Sequence, residues 1–325
     1  MGAGDADQSG RAGLQDMDGK ARTGRRYEEG RRGVSEGSWM RVGIVGAGQM
    51  GSWFARLFSG AGDEVLVNDI DRSRVRKISE ELGVKACGLE DLARESDLVI
   101  VATPIAETPA VVSSVAGLMR KGSILTDICS VKEEVVSAMK GAKTEAELVS
   151  IHPLFGPGAS DLRGKDVIVI PVKVRSAYRS LKKRLIEMGA RITEMGAEEH
   201  DKLMAVVQCL PHLTVMSFLF TLGSMREFLT EDVRTPMFEY LLLAGKALLA
   251  RDPDLYGEIQ VHNKYASIVR ERILEVCRSM DVALSAGDAK IVEKKFSEVE
   301  NLFSKSEKEK AYMLLYRLFE GEDRR

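Results

Sequence analysis

RVGIVGAGQMG at residues 41–51 is the stretch whose reading decides the fold. An apolar strand, RVGIV, runs directly into glycines at 46, 48 and 51, and residues 52–57 continue at once with the spacing of a helix. A strand, a glycine-rich turn and a helix in immediate succession form a dinucleotide-binding fingerprint, far more specific than the glycine spacing alone. Gly46 permits the tight turn, Gly48 lets the backbone approach a pyrophosphate, and Gly51 lets the helix pack close to the strand. Gln49 and Met50 open that helix, whose free N–H groups favour phosphate. Asp69 closes the second strand, EVLVND, 23 residues after Gly46, where a carboxylate accepts hydrogen bonds from an adenosine ribose. A carboxylate there repels a 2'-phosphate, so NAD is expected over NADP, although Arg72 and Arg74 just beyond could offset the repulsion.

Working outward, EVLVN, DLVIVA, SILTDI, ELVSI and DVIVI read as further strands with amphipathic segments between most of them, and ARITEM as a last short one. Continuous apolar strands alternating with helices imply an α/β class, a doubly wound parallel sheet covered on both faces. This Rossmann-type domain is expected over residues 40–195. After Gly196 the apolar spacing becomes helical over 198–228, 237–250, 259–280, 289–303 and 307–319. Residues 196–325 therefore read as an all-helical domain for substrate binding and dimerisation. Its first two helical runs are too apolar for a single layer to cover, so a homodimer is expected.

Residues 1–39 have almost no aliphatic side chains and balance seven basic against seven acidic residues, which reads as a disordered tail with no strong pull on nucleic acid. The abrupt onset of MRVGIVGAG makes Met40 an expected translation start. The whole chain of 325 residues is 44% hydrophobic and 30% charged, with a net charge of -2, the balance of an ordinary soluble protein. Cys87, Cys129, Cys209 and Cys277 lie far apart in apolar surroundings and read as buried thiols of a reducing cytoplasm, not as metal ligands. No apolar run was expected to approach the roughly 20 residues of a membrane span.

Ligands of an open parallel sheet lie at the carboxyl ends of its strands. Thr103 and Pro104 end the fourth strand and Ser130 follows the fifth, so all three should face the nicotinamide. ELVSI delivers His152 to the loop HPLFGPG at 152–158, where a histidine can take a hydroxyl proton near neutral pH.

TDICSVK at 126–132, HPLFGPG at 152–158 and EHDKLMAVVQCLPHLT at 199–214, with DPDLYGEIQVHN at 252–263, resemble the prephenate dehydrogenase family. The resemblance implies NAD-dependent oxidative decarboxylation of prephenate to 4-hydroxyphenylpyruvate, a step toward tyrosine. Through it His152 corresponds to the catalytic base, Ser130 to a serine bonded to it, His212 to a histidine near the substrate and Asp201 to a carboxylate on the same helix. Eleven residues span nearly three helical turns, so Asp201 and His212 should share a face with Gln208 between them, and all three are expected to bind substrate. Pro211 should bend the helix and free a carbonyl. His200 and His262 read as surface residues. The family's substrate-binding arginine aligns with Ala247, so Lys246 or Arg251 must replace it. Arogenate remains a competing substrate. A β-hydroxyacid or imine reductase of the same plan and an NAD-binding redox sensor are the other readings.

Overall fold

The computed structural model describes residues 40–230 and 233–319; the expected tail at 1–39 lies outside them. β1 (Arg41–Val45) lies inside an eight-stranded sheet with β2 (Glu64–Asn68), β3 (Lys85–Ala86), β4 (Leu98–Val101), β5 (Ile124–Asp127), β6 (Glu147–Pro153), β7 (Asp166–Lys173) and β8 (Arg191–Glu194), in the order β3-β2-β1-β4-β5-β6-β7-β8. The strands β3 to β6 of this order are parallel, as expected from their continuous apolar runs, and every residue of β4 and β6 is buried. β7 departs from the expectation and runs antiparallel to β6. Residues 154–165 join the two without a helix, and a parallel crossover needs a dozen or more residues that usually include one. β3 escaped the sequence reading because both its residues are exposed and carry no apolar pattern.

Helices cover both faces of the sheet. α1 (Gln49–Gly60) and α2 (Arg72–Leu82) pack on one face with α6 (Ser176–Glu187), through Phe54, Phe58, Ile78 and Leu181. α3 (Leu89–Glu95), α4 (Thr108–Ala116) and α5 (Glu133–Gly141) cover the other, through Leu92, Val112 and Met139.

Beyond β8 the chain is helical: α7 (Ala197–Met204), α8 (Leu210–Ser224), α9 (Pro236–Leu249), α10 (Pro253–His262), α11 (Ala266–Ser285), α12 (Lys290–Val299) and α13 (Lys305–Arg317). Met204, Cys209, Ile259 and Ala266 join the same apolar cluster as α4 and α5, so this half is docked on the sheet's second face. The expected single run over 259–280 is broken at Asn263, whose side chain accepts from Tyr265 N at 3.0 Å and donates to the Asp201 carbonyl at 2.8 Å. α7 and α8 are continuous through a widened π turn, Ala205–Cys209, closed by Leu210 N–H on the Ala205 carbonyl. Pro211, which lacks an N–H, follows at once, and such wide turns often mark functional sites.

Two sequence readings need correction here. Ala197–Ser224 is, by length and composition, long and apolar enough to cross a membrane, although Gln208 and His212 interrupt its apolar run. None of the residues of α8 is buried in the single chain, which leaves an apolar face open. Cys277 is exposed and Cys87 half-buried, so only Cys129 and Cys209 fit the expected burial.

The close contact of α1 with β1 leaves no room at Gly51, where an added Cβ would lie 1.9 Å from the Gly46 carbonyl oxygen. Gly51→Ala should lower stability by about 1–3 kcal/mol, the usual cost of overpacking, and a denaturant midpoint unchanged from wild type would contradict that contact.

Candidate active site

The turn after β1 is built for a phosphate. Gly46 takes a φ of 103°, and a side chain there would strike the Ala102 carbonyl at 2.4 Å. Around Gly48, in contrast, nothing lies within 4 Å of where a Cβ would stand, which leaves open the side from which a pyrophosphate approaches. Asp69 accepts from Ala47 N at 2.6 Å and from Asp71 N at 2.8 Å, so it ties the turn to the end of β2 and retains acceptor capacity for a ribose. Ile70 beside it is fully exposed, an apolar surface suited to an adenine ring. Gln49 is exposed at the start of α1, while Met50 packs partly against the core. Thr103 and Pro104 stand at the carboxyl end of β4. These residues fit NAD.

His152 does not sit in a loop. It is the penultimate residue of β6 and is 3% exposed. Its Nδ1 lies 2.8 Å from Nε2 of His200, whose own Nδ1 lies 2.7 Å from Oδ1 of Asp201. A carboxylate can only accept, so His200 Nδ1 carries the proton, its Nε2 accepts, and His152 Nδ1 must be the donor. The lone pair of His152 is thereby placed on Nε2, which no hydrogen bond among the described residues engages. Burial pushes His152 well below the ordinary histidine value, and the neighbouring His200 and Lys132 act in the same direction. Burial lowers His200 as well, against the opposing pull of Asp201. Both rings are therefore neutral at pH 7.

This arrangement overturns three expectations. His200 is fully buried and not a surface residue. Ser130, half-buried after β5, makes no hydrogen bond to His152, whose Nδ1 is paired with His200. Asp201, expected to bind substrate, is 1% exposed and engaged within the protein: besides His200 it accepts from Lys132 N and Glu133 N, both at 2.9 Å, at the start of α5. His262 is partly exposed and lies 3.6 Å from Glu134.

Beneath His152 lies an ion pair that sequence reasoning missed. Lys132 and Asp127 have fully buried side chains 2.7 Å apart, and Lys132 Nζ also donates at 2.5 Å to the carbonyl of Ile151, the residue before His152. Asp127 further accepts from Cys129 N at 2.9 Å and from the Ser150 hydroxyl. The available signal was a charged residue ending an otherwise apolar strand, followed five positions later by a lysine between valine and the next helix.

The expected substrate residues gather at α8 and α10. His212 packs edge-on against Tyr256, with ring centroids 5.0 Å apart, and burial lowers its pKa. His212 Nδ1 and Gln208 Oε1 are both buried without a hydrogen-bond partner, orphaned polar atoms of the kind a bound polar molecule satisfies. Arg251 reaches from the helical half to Gln49 Oε1 at 3.0 Å and lies 3.3 Å from where a side chain on Gly158 would begin. It joins the glycine turn to the loop after His152, whereas Lys246 is exposed on α9. Of the two candidate cations, Arg251 is the one at the crevice.

Residues 54–194 match the family model described as "Prephenate dehydrogenase, nucleotide-binding domain", and residues 196–298 that described as "Prephenate dehydrogenase, dimerization domain". A probable arogenate/prephenate dehydrogenase of Methanocaldococcus jannaschii is 29% identical over 280 residues, 83% of this chain and 62% of the relative, so the match spans less than two thirds of that protein. A 4-amino-4-deoxyprephenate dehydrogenase of Streptomyces pristinaespiralis is 29% identical over 270 residues, 79% of this chain and 89% of the relative. Among solved structures, prephenate dehydrogenase from A. aeolicus in complex with hydroxyphenyl propionate and NAD+ shares the fold, with a TM-score of 0.66 and 21% identity over 82% of this chain and 98% of that one. With both of its halves matched in order, the chain belongs to the prephenate dehydrogenase family.

Proposed function

We propose that the protein oxidises prephenate with NAD, yielding 4-hydroxyphenylpyruvate and carbon dioxide. The observation that carries this reading is the Asp201–His200–His152 chain, which holds a neutral histidine with its free lone pair on Nε2. NAD, when bound, supplies the acceptor for the hydride that leaves the hydroxyl-bearing ring carbon. His152 takes the hydroxyl proton at Nε2 in the same step, and the buried Lys132–Asp127 pair holds the end of β6 in place beneath it. Loss of the ring carboxylate as carbon dioxide leaves an aromatic ring, which makes the step strongly downhill. Arg251 binds a substrate carboxylate, while His212 and Gln208 offer their unpaired atoms to the rest of the substrate.

In the same reading a second copy of the chain covers the apolar face of α8 and α9, where Phe220 is 70% and Leu249 is 71% exposed. A monomer seen by light scattering at micromolar concentration would contradict that assembly. Parallel turnover of prephenate and arogenate with NAD, followed at the nicotinamide absorbance, tests the substrate. Prephenate should be the faster, and turnover of neither would sink the proposal.

His152→Asn should lower turnover by about 100- to 10,000-fold, the range for a lost general base, or roughly 3–5.5 kcal/mol of barrier, with NAD affinity kept. Ser130→Ala should cost far less than His200→Ala, since the latter removes the acceptor that sets the tautomer of His152.

The lowered histidine values also fix the pH dependence. The base is neutral above its folded pKa, so kcat/KM should stay level as pH falls through the ordinary value of 6.5 and decline only below it. Stability follows the same direction. Below 6.5 the unfolded chain binds protons that the buried rings refuse, so stability is lost as pH falls further. An acidic limb centred at or above 6.5 would show that His152 is not the group titrating.

A further inference from the structure

The loop that carries Thr103 and Pro104 is held from two directions. From within, the hydroxyl of the buried Thr108 lies 2.8 Å from the Pro104 carbonyl, 3.1 Å from the Thr103 carbonyl and 2.9 Å from the Thr103 hydroxyl. From outside, Ile105 N–H donates to Oε2 of Glu258 on α10 at 2.9 Å, across 153 residues of sequence. Pro104 has no N–H, so Ile105 supplies the first main-chain donor after Thr103.

The carboxylate is firmly based. Ile259, the next residue, is 1% exposed and belongs to the same apolar cluster as Ile105 and Cys129, so α10 is docked against the ends of β4 and β5. The first half of α10, which follows Arg251, carries Tyr256, the ring against His212. One short helix therefore touches the loop expected under the nicotinamide and, through Tyr256 and Arg251, the residues expected around the substrate.

We infer that Glu258 is a positioning residue, whose bond to Ile105 N sets the nicotinamide-side loop at a fixed height relative to the substrate helix. The inference rests on the dehydrogenase reading above. Hydride transfer needs the two carbons close and aligned, and a displacement of about 1 Å by a remote change can cost on the order of 100-fold. Glu258 touches neither reacting atom. It acts through the backbone of Pro104 and Ile105.

Glu258→Ala and Glu258→Gln test it in the full chain. In Glu258→Ala the Ile105 amide should exchange with deuterium faster than in wild type, while NAD affinity measured by titration stays the same. Turnover should fall by roughly 10- to 100-fold. The primary isotope effect on kcat/KM, with substrate deuterated at the oxidised ring carbon, should rise as hydride transfer becomes limiting. Glu258→Gln keeps an acceptor oxygen and should recover most of the loss. Wild-type turnover and isotope effect in Glu258→Ala would overturn the inference, as would a loss of turnover that merely follows weakened NAD binding. If wild type itself oxidises neither prephenate nor arogenate, the functional reading fails separately. The latch is then judged by the Ile105 exchange and by the Overhauser contact between bound nicotinamide and the Thr103 methyl group, and both must change in Glu258→Ala for it to stand.

Discussion

Asp201 is a carboxylate surrounded by donors. It takes the N–H groups of Lys132 and Glu133 at the start of α5 and the Nδ1 proton of His200, while Asn263 holds its own main-chain carbonyl. Hydrogen bonds to a charged group contribute about 1.5–3 kcal/mol each, and a helix N-terminus favours a negative charge further. Those donors fix the position of the side chain, and from that constraint the rest follows. His200 has one available tautomer, His152 has the complementary one, and the helical half is fixed to the sheet at the point where His152 stands. The same residue serves packing and protonation, so neither can be altered alone.

Most of the architecture was legible because burial in a parallel sheet demands continuous apolar strands. LVIV at β4 and the glycine turn after β1 announce themselves in this way, and the change to helical spacing after Gly196 is equally plain. What stayed hidden lacked such a pattern. β3 is two exposed residues, and the direction of β7 depends on what the connecting segment omits. The apolar stretch through α8 is broken by polar residues such as Gln208 and His212, which shorten its continuous apolar runs without adding a charge.

At the site, residue types were easier to read than partners. His152, Asp69 and the glycines were named from motif and strand-end position, and the structure places His152 at the end of β6 and leaves His212 Nδ1 and Gln208 Oε1 buried without a hydrogen-bond partner. Ser130 and Asp201 were paired with the wrong neighbours, since a hydrogen bond across the fold follows from register and not from local spacing. His200 illustrates the limit. On a charged helix start, EEHDK, it reads as solvated, and only the docking of α7 against α5 and β6 buries it. Lys132 was likewise inconspicuous, since a lysine before a helix is ordinarily a solvated one.

The capping of α5 by a residue 69 positions downstream bears on the order in which the molecule is made. As the chain leaves the ribosome, the first six strands and their helices can gather while the start of α5 still lacks its counter-charge and the base still lacks its partner ring. Asn263 arrives later again. Closing contacts of such long sequence separation form late, after most of the chain has collapsed. All eight strands are therefore synthesised before the residue that caps α5 and before the ring that pairs with His152.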